Sequence, residues 1–243
     1  MFFSAVYTES LFLLAAVGSF YHLQRREPVK AGVWGLLIGL TRPNGFLGSL
    51  PLVILALRPG PLSRVSQIWR GRSGSLRAST PMLAAAAMPI CGMLIYSGFL
   101  AYVAHDPFAW AKGHAAWGRT YRGLDQLVSE RYTYIRDNGL YWYTALRPFD
   151  LLNASGVLFA LALVWPVTRR LGMAYGLFIL VNVIPPMFAG GLLSMGRLSC
   201  VVFPAFMWLG RAVPARPRPA WLAAFAMGQA LNAALFFTWR PLF

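Results

Sequence analysis

Acidic residues are scarce in this chain of 243 residues, which has 7 Asp and Glu against 22 Lys and Arg. Charged residues make up 12% of the sequence, whereas 58% is hydrophobic. This composition is more apolar than that of an ordinary soluble domain and is typical of a polytopic membrane protein. The basic residues lie in short clusters between apolar runs and form no continuous basic face, so nucleic acid is not an expected partner.

Cysteine is also rare, and Cys91 and Cys200 are solitary members of apolar runs without a Cys-x-x-Cys motif. A disulfide framework or a zinc site is not expected, and both thiols are predicted to pack in the core as small hydrophobic groups. The sequence has no Gly-rich phosphate loop ending in Lys-Ser/Thr, no HExxH, no GxSxG and no dinucleotide fingerprint. These absences argue against an energy-coupled pump and a metalloprotease, and no metal ligand is predicted.

The apolar runs predict an all-α polytopic membrane bundle of about 6–8 membrane segments, in which residues 1–243 form a single membrane domain. Positive charge follows the first run and none precedes it, which places Arg25, Arg26 and Lys30 in the cytosol. A chain that begins outside without a signal peptide indicates that an earlier part of the protein is missing. The predicted crossings, apart from the broken segment below, are residues 2–22, 81–104, 151–167, 173–184 (ending at Pro185-Pro186), 198–209 and 221–238.

The apolar segment 31–57 is interrupted at Arg42-Pro43-Asn44-Gly45, where proline removes a backbone donor and glycine permits a turn. A single kinked span would place the following basic cluster, Arg58 to Arg77, outside. A hairpin of two short helices keeps both basic flanks in the cytosol, so we favour the broken hairpin, with its tip buried in protein. Residues 58–80, rich in Arg, Ser and Gly, are predicted to be a cytosolic linker.

The one long polar stretch, residues 105–150, is predicted to be an outer or lumenal loop with interfacial helices, around which the chain is organised. Asp106-Pro107 is a plausible helix start. An aromatic stripe then follows at helical spacing, and a second periodic stretch ends at Asp137-Asn138-Gly139. Tyr141, Trp142 and Tyr143 indicate a return to the interface. The loop carries five acids, Asp106, Asp125, Glu130, Asp137 and Asp150, and the stripe comprises Trp110, His114, Trp117 and Tyr121.

Ionisable residues within apolar segments are the strongest indications of a site, because burying one at the bilayer centre costs about 2.5 to 3.5 kcal/mol. Glu9, Arg42 and Arg197 are such residues. Arg197 would suit a phosphate, because its planar fork donates paired hydrogen bonds. Alternatively, Arg197 is an interfacial anchor and Glu9 is a helix-start charge favoured by the dipole. Asn153-Ala154-Ser155 fits a glycosylation sequon but lies too near a helix start to be reached.

Four patches of the sequence carry a resemblance to a known family. They are SAVYTESLF (Ser4 to Phe12), LTRPNGFL (Leu40 to Leu47), HDPFAWAKGHAAWGR (His105 to Arg119) and SMGRLSCVVFPAF (Ser194 to Phe206). In order and spacing they resemble the membrane-embedded mannosyltransferases related to GPI mannosyltransferase II, including bacterial relatives, within the GT-C superfamily. The patches extend over almost the whole chain.

The resemblance implies an enzyme that moves a sugar, typically mannose, from a polyprenyl or dolichyl phosphate to a glycan or glycolipid acceptor at the outer or lumenal face. It implies no cofactor beyond this lipid-linked donor, and a multi-pass location in a bacterial cytoplasmic membrane or the ER membrane. Arg197 and Arg42 would bind the donor phosphate. The site would be lined by Tyr7, Asn44, Lys112, His114, Trp117 and Ser194.

The family's catalytic aspartate lies in an outer loop before the point at which this chain starts, so no residue here inherits that role. Asp106 and Glu9 are the only acids placed to substitute for it. A shortened relative that has lost the catalyst, acting as a non-catalytic membrane subunit, is the alternative to an enzyme. A transporter using the broken hairpin as a binding element is less favoured, because no inverted repeat is apparent.

Overall fold

The structure is a computed structural model, and it describes residues 8–57, 80–116 and 123–238. Within these ranges the chain forms helices and no strand, in agreement with the all-α prediction. The predicted linker falls almost wholly outside the described residues. The helices are α1 (Glu9–Gln24), α2 (Pro28–Thr41), a 3-10 helix (Pro43–Gly48), α3 (Ser49–Leu57), α4 (Thr80–Ala104), α5 (Ala109–Ala116), α6 (Leu124–Asn138), α7 (Leu140–Leu146), α8 (Pro148–Arg170), α9 (Met173–Gly190), α10 (Met195–Ser199), α11 (Phe203–Ala212) and α12 (Arg218–Phe237).

The chain reverses direction between α2 and α3, as the hairpin interpretation predicts. Arg26, just after α1, donates from Nη1 to the carbonyl oxygen of Ala56 near the end of α3, at 3.4 Å. The 3-10 helix folds tightly against the end of α2, because a Cβ on Gly45 would lie 2.1 Å from the Ile38 carbonyl oxygen. Only glycine fits there, so the Asn44-Gly45 dipeptide fixes the tip of the hairpin.

Glycines allow α2 and α4 to pack with their backbones in close contact. A Cβ on Gly39 would lie 2.0 Å from the Pro89 carbonyl oxygen, and one on Gly92 would lie 2.2 Å from the Leu36 carbonyl oxygen. Small residues at such positions are typical of helix packing in membranes, where van der Waals contact provides much of the attraction. Gly32, early in α2, lies against Ala85 of α4, and Gly39, late in α2, lies against Met93. Residue numbers therefore increase in the same direction along both helices, so α2 and α4 run parallel.

We expect Gly39→Ala to destabilise the fold by about 1–3 kcal/mol, because the atoms that its methyl group would meet are backbone and cannot rotate away. Thermal unfolding in detergent measures the change. Gly98→Ala is the matched control in α4, because a Cβ there meets nothing within 4 Å. An equal unfolding temperature for Gly39→Ala and the unchanged protein would contradict the close packing of α2 on α4.

The bundle has two distinguishable ends. At one end Gln24 donates a short hydrogen bond to the Tyr175 hydroxyl, which joins the last turn of α1 to the first turn of α9. We call this the basic end, because basic residues also lie just after α1, in the first turn of α2 and at the end of α8. We call the other the site end, where α1 begins and α2, α4 and α9 finish. Between the two ends lies an aromatic cluster of Phe12, Phe20, Tyr175, Phe178 and Phe203.

Three of the described helices, α4, α8 and α9, are long and apolar enough to cross a membrane. The predicted number of about 6–8 segments is not reached by this criterion. The helix α2 and the stretch Pro43–Leu57 are apolar but shorter. The predicted crossing 198–209 is divided, because α10 ends at Ser199 and α11 begins only at Phe203.

Two predictions about individual residues are wrong. Helix α9 continues through Pro185 and Pro186 to Gly190, since membrane helices can satisfy the carbonyl groups that proline leaves free through neighbouring groups. Cys91 is exposed on α4, so its prediction as a core residue is wrong, whereas Cys200 is partly buried and packs against the hydrophobic core as predicted. Both are free thiols. Cys91 follows a Pro89 that packs on α2, which turns the Cys91 side chain away from the core.

The polar stretch forms short helices, but it is not the centre of the packing. The Asp106 carboxylate accepts the Phe108 N–H at 2.9 Å, a capping contact of the kind predicted, and after the turn at Pro107 and Phe108 helix α5 begins at Ala109. Helix α6 ends at Asn138, before Gly139 with a φ of 85°, as predicted. Of the predicted aromatic belt, Tyr141 and Trp142 are exposed whereas Tyr143 is buried.

Candidate functional site

Three ionisable side chains meet at the site end and form a buried charge cluster. The Oε1 atom of Glu9 lies 3.0 Å from Arg42 Nη2 and 3.2 Å from Arg197 Nε. The side chains of Glu9 and Arg42 are 3% and 5% exposed, and that of Arg197 is 19% exposed. One carboxylate therefore lies between two guanidinium groups, which leaves one positive charge in excess in an apolar setting.

Local backbone structure brings these three residues together. Glu9 is the first residue of α1, and Arg197 lies in α10. Arg42 is extended, with φ −147° and ψ 143°, because the following Pro43 disfavours the helical conformation. This conformation turns the Arg42 guanidinium over the ring of Phe12, 4.6 Å from its centroid, where a cation is attracted to the aromatic face.

The cluster forms one wall of a cavity of about 580 Å³, which we call the central cavity. Its other walls include Asn44 of the 3-10 helix, Trp110 of α5 and the two prolines of α9. The indole Nε1 of Trp110 is buried and has no hydrogen-bond partner among the described residues. Buried donors are normally satisfied, so this N–H is a candidate donor to a ligand in the cavity. Arg197 and Trp110 therefore line the same space.

Asn153 of α8 fixes the position of α10. Its Oδ1 accepts the backbone N–H of Gly196 at 2.7 Å, and its Nδ2 donates to the Phe149 carbonyl oxygen at 2.9 Å. Ser194, immediately before α10, has a left-handed φ of 63°, a conformation that is costly outside glycine and is often found at functional sites. Asn153 was not predicted to be a site residue, because its sequence context indicated only a glycosylation sequon. A polar amide within an apolar run was the available signal.

We expect Asn153→Ala to destabilise the fold by about 1–3 kcal/mol, because the Gly196 N–H would be left buried without an acceptor. It should also weaken anion binding in the central cavity by displacing the neighbouring Arg197. Unfolding in detergent and ligand titration measure the two effects. Ser155→Ala is the control for the unfolding measurement, because the hydroxyl of the exposed Ser155 donates to the Leu152 carbonyl within its own helix. A stable Asn153→Ala variant would show that α10 is held by other contacts.

An apolar groove of about 960 Å³ lies along the opposite face of α10. Gly196, Ser199 and Cys200 form its floor, and Arg197 and Leu198 between them face the central cavity. The groove is closed on its sides by residues of α1, α8, α11 and α12, which include Leu13, Phe159, Phe206 and Phe225. One short helix therefore separates a cationic cavity from a long apolar surface.

The residues predicted for the site divide into three groups. Glu9, Arg42, Asn44 and Arg197 come together in the central cavity. Lys112 and Asp106 pair with each other outside it, and Ser194 is buried beside α10 without lining the cavity in the described part. The remaining predictions fall on groups that the structure does not describe, namely the residues Tyr7 and Trp117 and the side chain of His114.

Asp106 is poorly suited to act as a base. Its hydrogen bond to Lys112 and the Phe108 N–H hold the pKa of this carboxyl below its usual range, and a carboxylate with a lowered pKa is a weaker base. Glu9 lines the cavity, and its Oε1 contacts both guanidinium groups, which orients the two arginines. Its Oε2 is buried and has no hydrogen-bond partner among the described residues.

The arrangement suits an anion, because an anion would balance the excess positive charge and accept hydrogen bonds from Arg197 and Trp110. The three ionisable groups are held by different helices, so the site exists only in the folded chain. No family model, curated protein or solved structure matches the sequence.

Proposed function

We propose that this chain is a multi-pass membrane protein that binds a polyprenyl-phosphate-linked sugar and takes part in transferring that sugar, with mannose as the expected sugar, to an acceptor at the outer or lumenal face. The observation that carries the proposal is the pair of guanidinium groups on the wall of the central cavity, that of Arg42 buried and that of Arg197 partly buried. A lipid phosphate is an anion that resides at the membrane interface, where this cavity would lie.

The distribution of charge supports an orientation with the site end outside. Arg25, Arg26, Arg169 and Arg170 lie near the basic end, and acidic residues accompany the basic ones in the stretch from Asp106 to Asp150. Loops rich in Lys and Arg tend to remain in the cytosol. With the basic end in the cytosol, the central cavity faces the opposite compartment.

The apolar groove supports a donor with a long hydrocarbon chain. Its walls are mostly aliphatic and aromatic, and it adjoins the helix turn that carries Arg197. A phosphate held by Arg197 would leave its lipid chain free to lie against the groove across α10. Free sugar nucleotides carry no such chain and would gain nothing from this surface.

The chemistry that this geometry suits is the departure of a phosphate. The bond between the sugar carbon and the phosphate oxygen breaks, a bond from the same carbon to the acceptor oxygen forms, and the acceptor proton passes to a base or to water. Preorganised cations stabilise the charge that develops on the leaving phosphate. Arg197 is the more exposed of the two guanidinium groups, so we assign the direct contact to Arg197 and a supporting role to Arg42.

The non-catalytic alternative, a subunit that holds the lipid-linked sugar for a partner enzyme, is favoured by one observation. Both candidate acids form ion pairs, Glu9 through its Oε1 with two arginines and Asp106 with Lys112. In such a subunit the central cavity would bind the donor, while another chain would supply the base.

The test uses the purified full chain in nanodiscs, with polyprenyl-phosphate mannose labelled in the sugar. Binding in the micromolar range, together with release of polyprenyl phosphate when acceptor lipids are added, would support the enzyme. Binding without release would support the subunit. Failure to bind polyprenyl-phosphate mannose or polyprenyl phosphate would remove both.

A further inference from the structure

A second polar cavity lies at the site end, and the proposed donor site does not use it. It has a volume of about 210 Å³. Its walls are formed by Arg131 of α6, Arg147 just before α8, Asp150 and Asn153 of α8, and residues 190–193, which end α9 and follow it. We call it the arginine pocket. It shares no lining residue with the central cavity among the described residues: Ala189 lines the central cavity, whereas residues 190–193 line the arginine pocket.

The carboxylate of Asp150 is fully engaged within this pocket. Arg131 Nη2 donates to Asp150 Oδ1 at 2.7 Å, and the Tyr143 hydroxyl donates a short bond to Oδ2. Burial, reinforced by Asp150, raises the pKa of Tyr143 to about 12. The phenol therefore stays protonated at neutral pH and continues to donate. Asp150 is thus a fixed support for Arg131 and not a free acid.

The pocket has donors that Asp150 does not use. The Nε atom of Arg131 is buried and has no hydrogen-bond partner in the part of the chain that the structure describes. Arg147 lies over the Tyr134 ring, 4.6 Å from its centroid, and makes no ion pair within the described part of the chain. Two guanidinium groups against one carboxylate leave an excess positive charge, as in the central cavity.

We propose that the arginine pocket binds the phosphate of an anionic membrane lipid. The volume is below the range of about 300–1,000 Å³ that is common for whole small molecules, which suits a single phosphate and the atoms next to it. Planar guanidinium groups recognise phosphate by paired hydrogen bonds. This site does not depend on the proposed donor function.

A single side chain connects the two anion sites. Asn153 lines the arginine pocket and also accepts the Gly196 N–H, one residue before Arg197. The arginine pocket therefore adjoins the turn that carries Arg197, and an anion in each cavity would have its own guanidinium group.

The experiment measures lipid binding to the full chain in phosphatidylcholine nanodiscs. The probes are a trace of fluorescent phosphatidylglycerol for the arginine pocket and polyprenyl phosphate for the central cavity. We expect Arg147→Gln to weaken phosphatidylglycerol binding about tenfold, as loss of a charge-assisted hydrogen bond implies, and to leave polyprenyl phosphate binding unchanged. Arg147 is exposed, so this variant should fold even where Arg131→Gln does not.

Arg136→Gln is the matched control, because Arg136 is an exposed arginine of α6 that pairs with the neighbouring Asp137. Inorganic phosphate is added as competitor. Competition would show that the phosphate alone is recognised, and lack of competition that the lipid headgroup is also needed; either supports the site. Equal phosphatidylglycerol binding by Arg147→Gln and the unchanged protein would overturn the proposal, as would parallel loss of both probes. If the unchanged protein bound phosphatidylglycerol but not polyprenyl phosphate, the proposed donor function would be overturned and the arginine pocket would stand.

Discussion

Arg197→Ala is expected to reduce binding of polyprenyl phosphate about 100-fold, because two charge-assisted hydrogen bonds of about 1.5–3 kcal/mol each would be lost in a site with little water. Arg197 is 19% exposed, which leaves part of its guanidinium accessible from the central cavity. Titration of the purified chain with fluorescent polyprenyl phosphate in nanodiscs measures the change. Transfer of mannose, where it is observed, should fall by at least the same factor.

Two further variants separate charge from geometry. Arg197→Lys keeps the positive charge but loses the planar fork, so we expect an intermediate loss. Arg211→Ala removes an exposed arginine of α11 and should bind as the unchanged protein does. If Arg197→Ala bound polyprenyl phosphate normally, the phosphate role of Arg197 would be wrong, and Arg197 would be only a partner of Glu9.

The broken hairpin was predictable from sequence because its determinants are local. Proline at 43 and glycine at 45 specify a turn whatever surrounds them, and the structure places the 3-10 helix there. The end of α9 was not predictable in the same way. Pro185 and Pro186 are helix-breaking signals in water, but their effect depends on what the surrounding helices offer to the freed carbonyl groups. That information is not in the local sequence.

The candidate site was predictable residue by residue but not as an assembly. Glu9, Arg42 and Arg197 each stood out because a charge within an apolar segment is costly. Their meeting at one carboxylate oxygen depends on how α1, α2 and α10 pack, and the spacing of 33 and 155 residues between them (42 − 9 and 197 − 42) gives no periodic signal. The alternative interpretation, in which Glu9 is a helix-start charge, did not predict its contacts with two arginines.

The arginine pocket was not predicted, because its residues looked like ordinary loop charges. Arg131 and Asp150 are 19 residues apart and belong to different helices, so their pairing is a tertiary feature. Tyr143 was interpreted as part of an aromatic belt, whereas it is buried and donates to Asp150. Charges in a polar loop have too many possible partners for sequence reasoning to choose among them.

Glu9→Ala is expected to destabilise the protein by about 3–5 kcal/mol, because it leaves two guanidinium groups buried without their carboxylate. Unfolding in detergent measures this loss. Glu27→Ala is the matched control at the start of α2. Glu27 pairs with His22, Arg25 and Lys30 but is much more exposed, so its removal should change stability little. Similar stability of the two variants would show that the cluster is solvated.

A double variant tests why the chain keeps this cluster at all. Buried ion pairs can often be replaced by apolar residues of similar volume without loss of stability, so Glu9→Leu combined with Arg42→Met should recover much of what Glu9→Ala loses. The same double variant should bind polyprenyl phosphate poorly, because Arg197 would no longer be oriented by Glu9. Recovered stability without recovered binding would mean that the cluster is maintained for its ligand. Recovery of both would mean that Arg197 acts alone, and that Glu9 and Arg42 serve only each other.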